Sequence, residues 1–211
     1  MVCHFKKKHQ KIHKQNYILS VGRLEWGKGV DQLIHAFALI ADTIPKTRLI
    51  IIGRDTQSLI TGRWLSMRNY LLSIIKLYKL QNRIVLHRQI ANHAMPDYYR
   101  SCVCYVTASS GYENQPMSLL DAVAASKAIV AFKAVGIAEV ITHRSNGYLA
   151  KAGDIKKLGQ YIQTVISQPE IRKTFERKND IIRHKYDIRR TSRLTTRHFS
   201  RLLDQYDSPA A

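Results

Sequence analysis

Short runs of apolar residues alternate along the chain with longer segments in which apolar residues recur every three or four positions. The runs are typical of buried β-strands, and the spaced segments are typical of helices with one buried face. Strands are predicted at Tyr17–Val21, Arg48–Ile52, Ile84–Leu86, Cys102–Thr107 and Ala128–Phe132. Between and after them, helices are predicted at Val30–Ala41, Met67–Leu77, Pro96–Arg100 and from Pro116 onwards. This alternation indicates a parallel sheet with helices on both faces.

The last third of the chain is predicted to be mostly helical. A short helix at Ala134–Glu139 and a turn at Asn146 and Gly147 precede a helix that Asp154 caps and that runs to about Ser167. Two cationic helices follow, at Ile171–Lys185 and Ile188–Gln205. We therefore predict a Rossmann-like, doubly wound α/β domain over residues 17–187, a basic flexible lead-in over residues 1–16, and a C-terminal helix and tail over residues 188–211.

Ligands of such sheets bind beyond the carboxyl ends of the strands, so the loops that follow strands are the first candidates for a site. Three loops have this position: Gly22–Gly29, Gly53–Gly62 and Ala108–Gln115.

The third of these loops opens into a helix after Pro116, a residue that suits the first helical turn. The backbone amides of Met117, Ser118 and Leu119 are expected to point out of the helix start, where the helix dipole also favours an anion such as phosphate. Glu113 lies before this helix and Asp121 a little more than one turn inside it. Both carboxylates are therefore expected to reach one ligand bound at the helix start.

The first loop, GRLEWGKG, fits only the beginning of a phosphate-binding P-loop. Gly29 follows Lys28, where a P-loop has the Ser or Thr that holds magnesium, so a nucleoside triphosphatase is disfavoured. Arg23 offers a planar fork and Lys28 a mobile charge beside glycines that let the backbone approach a phosphate. The same residues are equally compatible with a tight turn that carries two solvated cations.

Composition is that of a globular protein, with 45% apolar and 23% charged residues. No apolar run is long enough to span a bilayer and the first residues lack a secretory signal, so a cytoplasmic location is expected. Cys102 and Cys104 alternate with apolar residues and are expected to pack in the core on one face of a strand. The histidines His9, His13, His87 and His143 lack a convincing metal-ligand spacing.

The formal net charge of +19 points to an acidic partner, which could be a nucleotide, a nucleic acid or an anionic membrane. Much of the charge lies in the lead-in and between Arg172 and Arg201, outside the predicted core. Solvated tails and helix faces explain it more simply than a specific nucleic-acid site, since an aromatic platform and a recognition helix are both missing from the sequence. A peripheral contact with the inner face of an anionic membrane is a further expectation.

Several segments, taken together, resemble the donor-binding half of a known enzyme family. They are YILSVGRLEWGKGVDQLIHAF, RLIIIGRDT, RIVLHRQI, YYRSCVCYVTASSGYENQPMSLLDAVAASKAIVAF and VGIAEVITHRSNGYLAKAGD, which span roughly Tyr17 to Ser167. In this order they resemble the glycosyltransferase group 1 family (family 4), whose members are retaining enzymes with two lobes of the GT-B type. The resemblance implies a nucleoside-diphosphate sugar as donor substrate and one lobe of such an enzyme as the fold.

The resemblance also implies roles for particular residues. Arg23 and Lys28 correspond to the pair that binds the donor diphosphate, with help from the amides of Met117, Ser118 and Leu119. Glu113 corresponds to the catalytic acid associated with the transferred sugar, next to Asn114 and Gln115, and Asp121 to the acid that binds the ribose. The loop His87, Arg88, Gln89 and Ile90 is implied to lie beside the base. Because cations and helix amides can stabilise the departing diphosphate, no metal cofactor is expected.

The sequence departs from the family at several positions. Asp121 stands where Glu is usual, Ser126 and Ala128 stand where Gly and Pro are usual, and Gly136 is single where two glycines are common. The family's N-terminal, acceptor-binding lobe has no counterpart before Tyr17. A fragment, a degraded copy, and a partner chain that supplies the missing lobe therefore remain alternatives, as does a protein that binds nucleotide sugars without catalysis.

Overall fold

The computed structural model describes residues 16–60, 63–111, 113–114 and 116–206. Its strands, in chain order, are β1 (Tyr17–Val21), β2 (Arg48–Ile52), β3 (Gln57–Ile60), β4 (Arg63–Ser66), β5 (Ile84–His87), β6 (Cys104–Thr107), β7 (Ala128–Phe132) and β8 (Gly147–Ala150). Its α-helices are α1 (Val30–Ile40), α2 (Met67–Leu77), α3 (Met95–Ser101), α4 (Met117–Ala124), α5 (Val135–Ala138), α6 (Ile155–Ser167), α7 (Pro169–Ile182) and α8 (Ile188–Tyr206). Short 3₁₀ turns occupy Trp26–Lys28, Ala41–Thr43 and Arg183–Tyr186. Residues 1–15 of the predicted lead-in and Gln115 lie outside the described residues.

Six strands form one parallel sheet in the order β5-β2-β1-β6-β7-β8. This is the order of a doubly wound dinucleotide-binding sheet, and it confirms the predicted Rossmann-like α/β class. The chain runs outward from β1 in one direction and, after β5, crosses back to continue from β6 in the other. The switch point is therefore at the neighbouring strands β1 and β6, and such sheets bind their ligands in the crevice beyond the carboxyl ends of these strands.

Two apolar clusters cover the two faces of this sheet, and alternate residues of each strand supply them. In β1, Ile18 belongs to the cluster under α1, α2 and α6, while Leu19 belongs to the cluster under α3 and α4. Burial of one such side chain stabilises the fold by about 1.5–3 kcal/mol. Because both faces are buried, the strands are apolar at nearly every position, which is why the bounds of β1, β2 and β7 could be predicted from apolar runs.

Two parts of the fold differ from the prediction. The segment expected to be a loop from Gly53 to Gly62 contains β3 and begins the antiparallel pair β3–β4; Gly62 itself lies outside the described residues. The sequence GYLA, predicted only as the end of a turn, forms the edge strand β8 beside β7. These strands have four residues each, too few for an apolar period to separate them from a loop.

The two described cysteines are buried, but they do not share a face of one strand. Cys102 ends α3, where its backbone amide donates to the carbonyl of Tyr98, and it packs in the cluster under α3 and α4. Cys104 begins β6 and packs in the opposite cluster. The expected alternation fails because β6 starts two residues later than predicted. Burial raises the pKa of the Cys102 thiol to about 12 and also raises that of Cys104, so both remain protonated at neutral pH.

Helix α8 is exposed along its whole described length. At 100° per residue most of its apolar side chains fall on one side and its arginines on the other, while Leu194 falls beside Arg201. The apolar side carries Ile188, Phe199, Leu202 and Leu203, of which Phe199 is 60% and Leu203 62% exposed. The cationic side carries Arg189, Arg190, Arg193, Arg197 and Arg201. None of the helices in the described part of the chain is long and apolar enough to cross a membrane.

Candidate functional site

A cavity of about 220 Å³ lies at the switch point of the sheet. The end of β1 and the loop after it form one wall, the end of β6 a second, and the start of α4 a third. Five of the residues predicted to form a site line this cavity: Arg23, Lys28, Glu113, Met117 and Ser118. The structure therefore brings together side chains from both flanking loops, as expected for the carboxyl edge of a parallel sheet.

The loop after β1 is held against the neighbouring strands by backbone contacts. Gly22 donates its amide to the Ile52 carbonyl at 3.1 Å, which ties the loop to the end of β2. At the other end of the loop, Gly29 has a φ of 58° and begins α1. A Cβ atom on Gly29 would lie 2.1 Å from the carbonyl oxygen of Ala108. Glycine is thus needed at this position for the backbone conformation and for the close approach to Ala108, the residue after β6. This packing places the neighbouring Lys28 at the cavity.

Lys28 and Glu113 form an ion pair inside the cavity, although 85 residues separate them in the chain. The Lys28 side chain is 26% exposed and that of Glu113 only 8%. Ser109 Oγ lies 2.7 Å from Glu113 Oε1 and 3.0 Å from the Gly27 carbonyl oxygen. Its single proton can be donated to one of these acceptors at a time, so the hydroxyl links the two loops of the site.

Arg23 occupies a different environment from Lys28. Its side chain is 63% exposed and forms an ion pair of 3.0 Å with Glu25 of the same loop. An exposed pair of this kind contributes little to stability, so it leaves the guanidinium able to turn towards an anion at the cavity rim.

The start of α4 differs in two details from the prediction. Pro116 is the residue before the helix, with a φ of −70° and a ψ of 114°, rather than part of the first turn. The Leu119 amide donates to the Pro116 carbonyl at 3.0 Å, so it is not free for an anion. The prediction of three outward amides was wrong for Leu119, because the first turn closes with a tight 3₁₀-type bond. The amides of Met117 and Ser118 remain at the helix start, beside the cavity.

The side chain of Ser118 is held in place by Tyr105 of β6. The Tyr105 hydroxyl donates to Ser118 Oγ at 2.9 Å. Burial raises the pKa of Tyr105, and the negative charges of Asp121 and Glu113 raise it further, so this hydroxyl stays protonated and keeps its proton for donation.

Asp121 and Asn114, both predicted to contact the donor, are not among the described residues that line the cavity. Asp121 is one turn into α4, and among the described residues the cavity wall includes Met117 and Ser118 but not Asp121. Asn114 is exposed. The amide of Gly136 donates to the Glu113 carbonyl at 2.9 Å, and a Cβ on Gly136 would lie 1.4 Å from the Asn114 carbonyl oxygen. The start of α5 therefore packs directly on the loop that carries Glu113.

The loop predicted to lie beside a base is at the same edge of the sheet but outside the cavity. His87 ends β5, two strands from β1, and its ring packs edge-on against Tyr98 with 6.1 Å between the centroids. Arg88 and Gln89 are exposed, while Ile90 packs on the cluster under α3 and α4. A role for these residues stays a prediction.

Within the described part of the chain, no group of three or more His, Cys, Asp or Glu side chains could hold a metal ion. The expectation of a metal-independent reaction therefore rests on the cations and helix amides of the cavity, and it stays a prediction.

Sequence reasoning missed the part played by Ser109. The sequence predicts only that it lies in the loop Ala108–Gln115, yet its side chain links the Gly27 carbonyl and Glu113. A serine four residues before an acid is too common a pattern to have revealed this contact.

The fold has many solved counterparts. The C-terminal domain of a glycosyl transferase group 1 family protein (LpcC) from Francisella tularensis is 24% identical, with a TM-score of 0.72; the match covers 82% of this chain and 87% of that domain. HepE from Anabaena, solved in complex with UDP and glucose, is 24% identical with a TM-score of 0.75, over 88% of this chain and 48% of HepE.

Among curated proteins, mannosylfructose-phosphate synthase from Agrobacterium fabrum is 27% identical over 143 residues, which cover 67% of this chain and 31% of that enzyme. The matches to four curated relatives cover between 31% and 45% of those proteins' lengths. Residues 4–180 match the family described as glycosyl transferases group 1, and since this match spans most of the 211 residues, the chain belongs to that family.

Proposed function

We propose that this chain is the donor-binding part of a glycosyltransferase that transfers a sugar from a nucleoside-diphosphate sugar with retention of configuration. The observation that carries the proposal is the convergence of Lys28, Glu113 and the start of α4 on one cavity at the switch point. A cation and helix amides suit a diphosphate, and a carboxylate beside them suits the attached sugar. The solved complex of HepE with UDP and glucose, which shares the fold, supports this class of ligand.

The proposed chemistry follows from where charge develops. When the bond to the anomeric carbon breaks, negative charge accumulates on the departing diphosphate and the sugar becomes oxocarbenium-like. Lys28, Arg23 and the amides of Met117 and Ser118 stabilise the diphosphate. Glu113 orients the sugar and favours its developing positive charge. This arrangement lets the reaction proceed without a metal ion.

The remaining roles are assigned by the resemblance to the family. Asp121 binds the ribose, Asn114 and Gln115 contact the sugar, and the loop His87–Ile90 lies beside the base. The hydrogen bond from Tyr105 to Ser118 and the close packing of Gly136 on the Asn114 carbonyl hold the start of α4 and the loop before it in place.

Acceptor binding is proposed to need a second lobe, which is either part of a longer polypeptide or a separate chain. The chain matches less than half of each curated relative, and the 220 Å³ cavity is open and small for a nucleotide sugar. A lobe that closes over the cavity would complete the donor site and hold the acceptor.

A peripheral membrane contact through α8 is the second proposed activity. The helix has an exposed apolar side and an arginine-rich side, the pattern of helices that lie in the plane of an anionic membrane. Charge complementarity favours acidic lipid as the surface that covers this helix.

A binding screen tests the proposed donor site. UDP, ADP and GDP and their hexose derivatives are added to the purified chain. Binding is detected first by thermal shift and is then measured by calorimetry. We expect at least one nucleotide to bind with a Kd of about 0.1–1 mM, since one lobe by itself encloses only part of a nucleotide bound between two lobes. Failure of every nucleotide would contradict the proposal and favour a degraded copy. A salt-dependent shift with RNA or DNA alone would instead favour the nucleic-acid alternative.

A further inference from the structure

We propose that Glu113 acts as a counter-charge that weakens binding of the bare nucleoside diphosphate relative to the nucleotide sugar, and so favours release of the product. This inference rests on the proposed function. The inference goes beyond the proposed function, because it gives the Lys28–Glu113 pair a role in distinguishing the product from the substrate.

The first step concerns the charge that the cavity presents to a phosphate. The Lys28 ammonium is the cation deepest in the described part of the cavity, and its ion-pair partner is Glu113. Arg23, the other cation of the cavity wall, is at the solvent-exposed rim. A diphosphate that binds Lys28 must therefore share this cation with a carboxylate of the same charge as the ligand.

The second step concerns what happens to Glu113 when a diphosphate takes Lys28. Glu113 is only 8% exposed, so water cannot easily replace the lost contact. Its other described side-chain partner is the Ser109 hydroxyl, which also faces the Gly27 carbonyl. A buried carboxylate that loses its cation is costly unless new donors reach it. Binding of a diphosphate alone supplies no such donor.

The third step compares two ligands. A nucleotide sugar carries hydroxyl groups next to the diphosphate, and these can donate to Glu113 when Lys28 moves. The bare nucleoside diphosphate lacks the hydroxyls of the transferred sugar, keeping only those of its ribose, and it carries more negative charge, because a terminal phosphate loses a second proton near pH 6. Glu113 therefore penalises the product more than the substrate. Once the sugar has left, Lys28 returns to Glu113 and the diphosphate is displaced.

Glu113→Gln tests this directly, because the amide removes the charge but keeps an oxygen that can accept from Ser109. Calorimetry compares wild type and variant with inorganic pyrophosphate, with UDP, ADP and GDP, and with UDP-glucose, ADP-glucose and GDP-mannose. We expect the variant to bind pyrophosphate and the best nucleoside diphosphate at least about fivefold more tightly, at the low end of coupling between ligand sites. Affinity for the matching nucleotide sugar should rise less or fall.

Glu170→Gln is the matched control, since it removes the same charge from an exposed position on α7 and should leave all affinities unchanged. Melting curves without ligand check that each variant folds, and Glu113→Ala gives a second variant if the amide is poorly tolerated. An equal gain for diphosphate and nucleotide sugar, or no gain for either, would overturn the inference while leaving the donor site intact. Absence of all binding in wild type would overturn both.

Discussion

At the scale of single residues, Gly29 limits what the first loop can do. Its positive φ and the 2.1 Å approach of an added Cβ to the Ala108 carbonyl exclude a side chain at this position. The Ser or Thr that holds magnesium in a P-loop would stand here. The loop can thus bring Lys28 and its backbone to a phosphate, but it cannot supply a hydroxyl ligand for a metal at that position.

Gly29→Ala is expected to destabilise the fold by at least about 2 kcal/mol, because it combines a strained backbone with a clash against β6. Urea unfolding followed by circular dichroism measures the change. Gly27→Ala is the control, since an added Cβ there meets no described atom within 4 Å. Equal stability of the Gly29 variant and wild type would show that the loop does not pack on Ala108 as described.

Lys28→Ala and Arg23→Ala are each expected to weaken nucleoside diphosphate binding by about 1.5–3 kcal/mol, the range for charge-assisted hydrogen bonds. Arg23 should lie at the lower end because it is exposed and already paired with Glu25. Calorimetry with the best nucleotide from the screen measures both.

Lys46→Ala serves as the control for both variants, because Lys46 is an exposed cation just before the amino end of β2, the opposite edge of the sheet. If both loop variants bind the nucleotide with wild-type affinity, Arg23 and Lys28 are not part of the diphosphate site.

At the scale of elements, the short helix α4 is positioned by its buried face. Leu119, Leu120, Ala122 and Val123 pack on the sheet, and Tyr105 holds Ser118 from below. These contacts aim the helix start at the cavity. Because the helix has only eight residues, its direction depends on this packing more than on its own propensity.

Helix α8 is expected to bind anionic vesicles at low salt, with each well-placed arginine contributing on the order of 1 kcal/mol. Flotation of the chain with phosphatidylserine-containing and neutral vesicles, at low and high salt, measures this. Arg193→Glu with Arg197→Glu should abolish flotation, and Phe199→Ser with Leu203→Ser should weaken it.

Glu170→Gln, which leaves α8 unchanged, should float like wild type. If the wild-type chain stays in the soluble fraction at low salt, the membrane proposal is wrong and another surface covers the helix.

At the scale of the whole molecule, we expect the chain by itself to bind the donor but not to transfer the sugar. The proposed diphosphate, ribose and sugar contacts all lie in this chain, so weak donor binding is expected without a second lobe. Transfer also needs an acceptor held in line and water kept out, which together supply a large share of such rate enhancements. We expect no sugar transfer by the purified chain in a radiolabelled transfer assay.

Addition of an acceptor-binding lobe, where one is encoded with this chain, is expected to restore transfer, and Glu113→Ala should then remove it. Robust turnover by the single chain would show that no second lobe is required. Binding without transfer, even with that lobe present, would favour the non-catalytic alternative.

The sequence alone determined the class of the fold and the bounds of several of its buried elements. Strands β1, β2 and β7 and helix α2 begin and end where apolar runs and helical spacing predicted. This is because strands buried on both faces are apolar throughout, a property that is local in the chain. The glycine-rich loop and the acids around α4 were also visible locally, and their place beyond the strands followed from the parallel sheet.

Only the tertiary structure decided how these residues pair. The four-residue edge strand β8 owes its identity to pairing with β7, and the two cysteines were separated by where β6 begins. The Lys28–Glu113 ion pair and its link through Ser109 join loops 85 residues apart in the chain. No local pattern encodes such contacts, because they depend on the order in which strands lie side by side. The charge that the cavity presents to a ligand is therefore a property of the folded sheet.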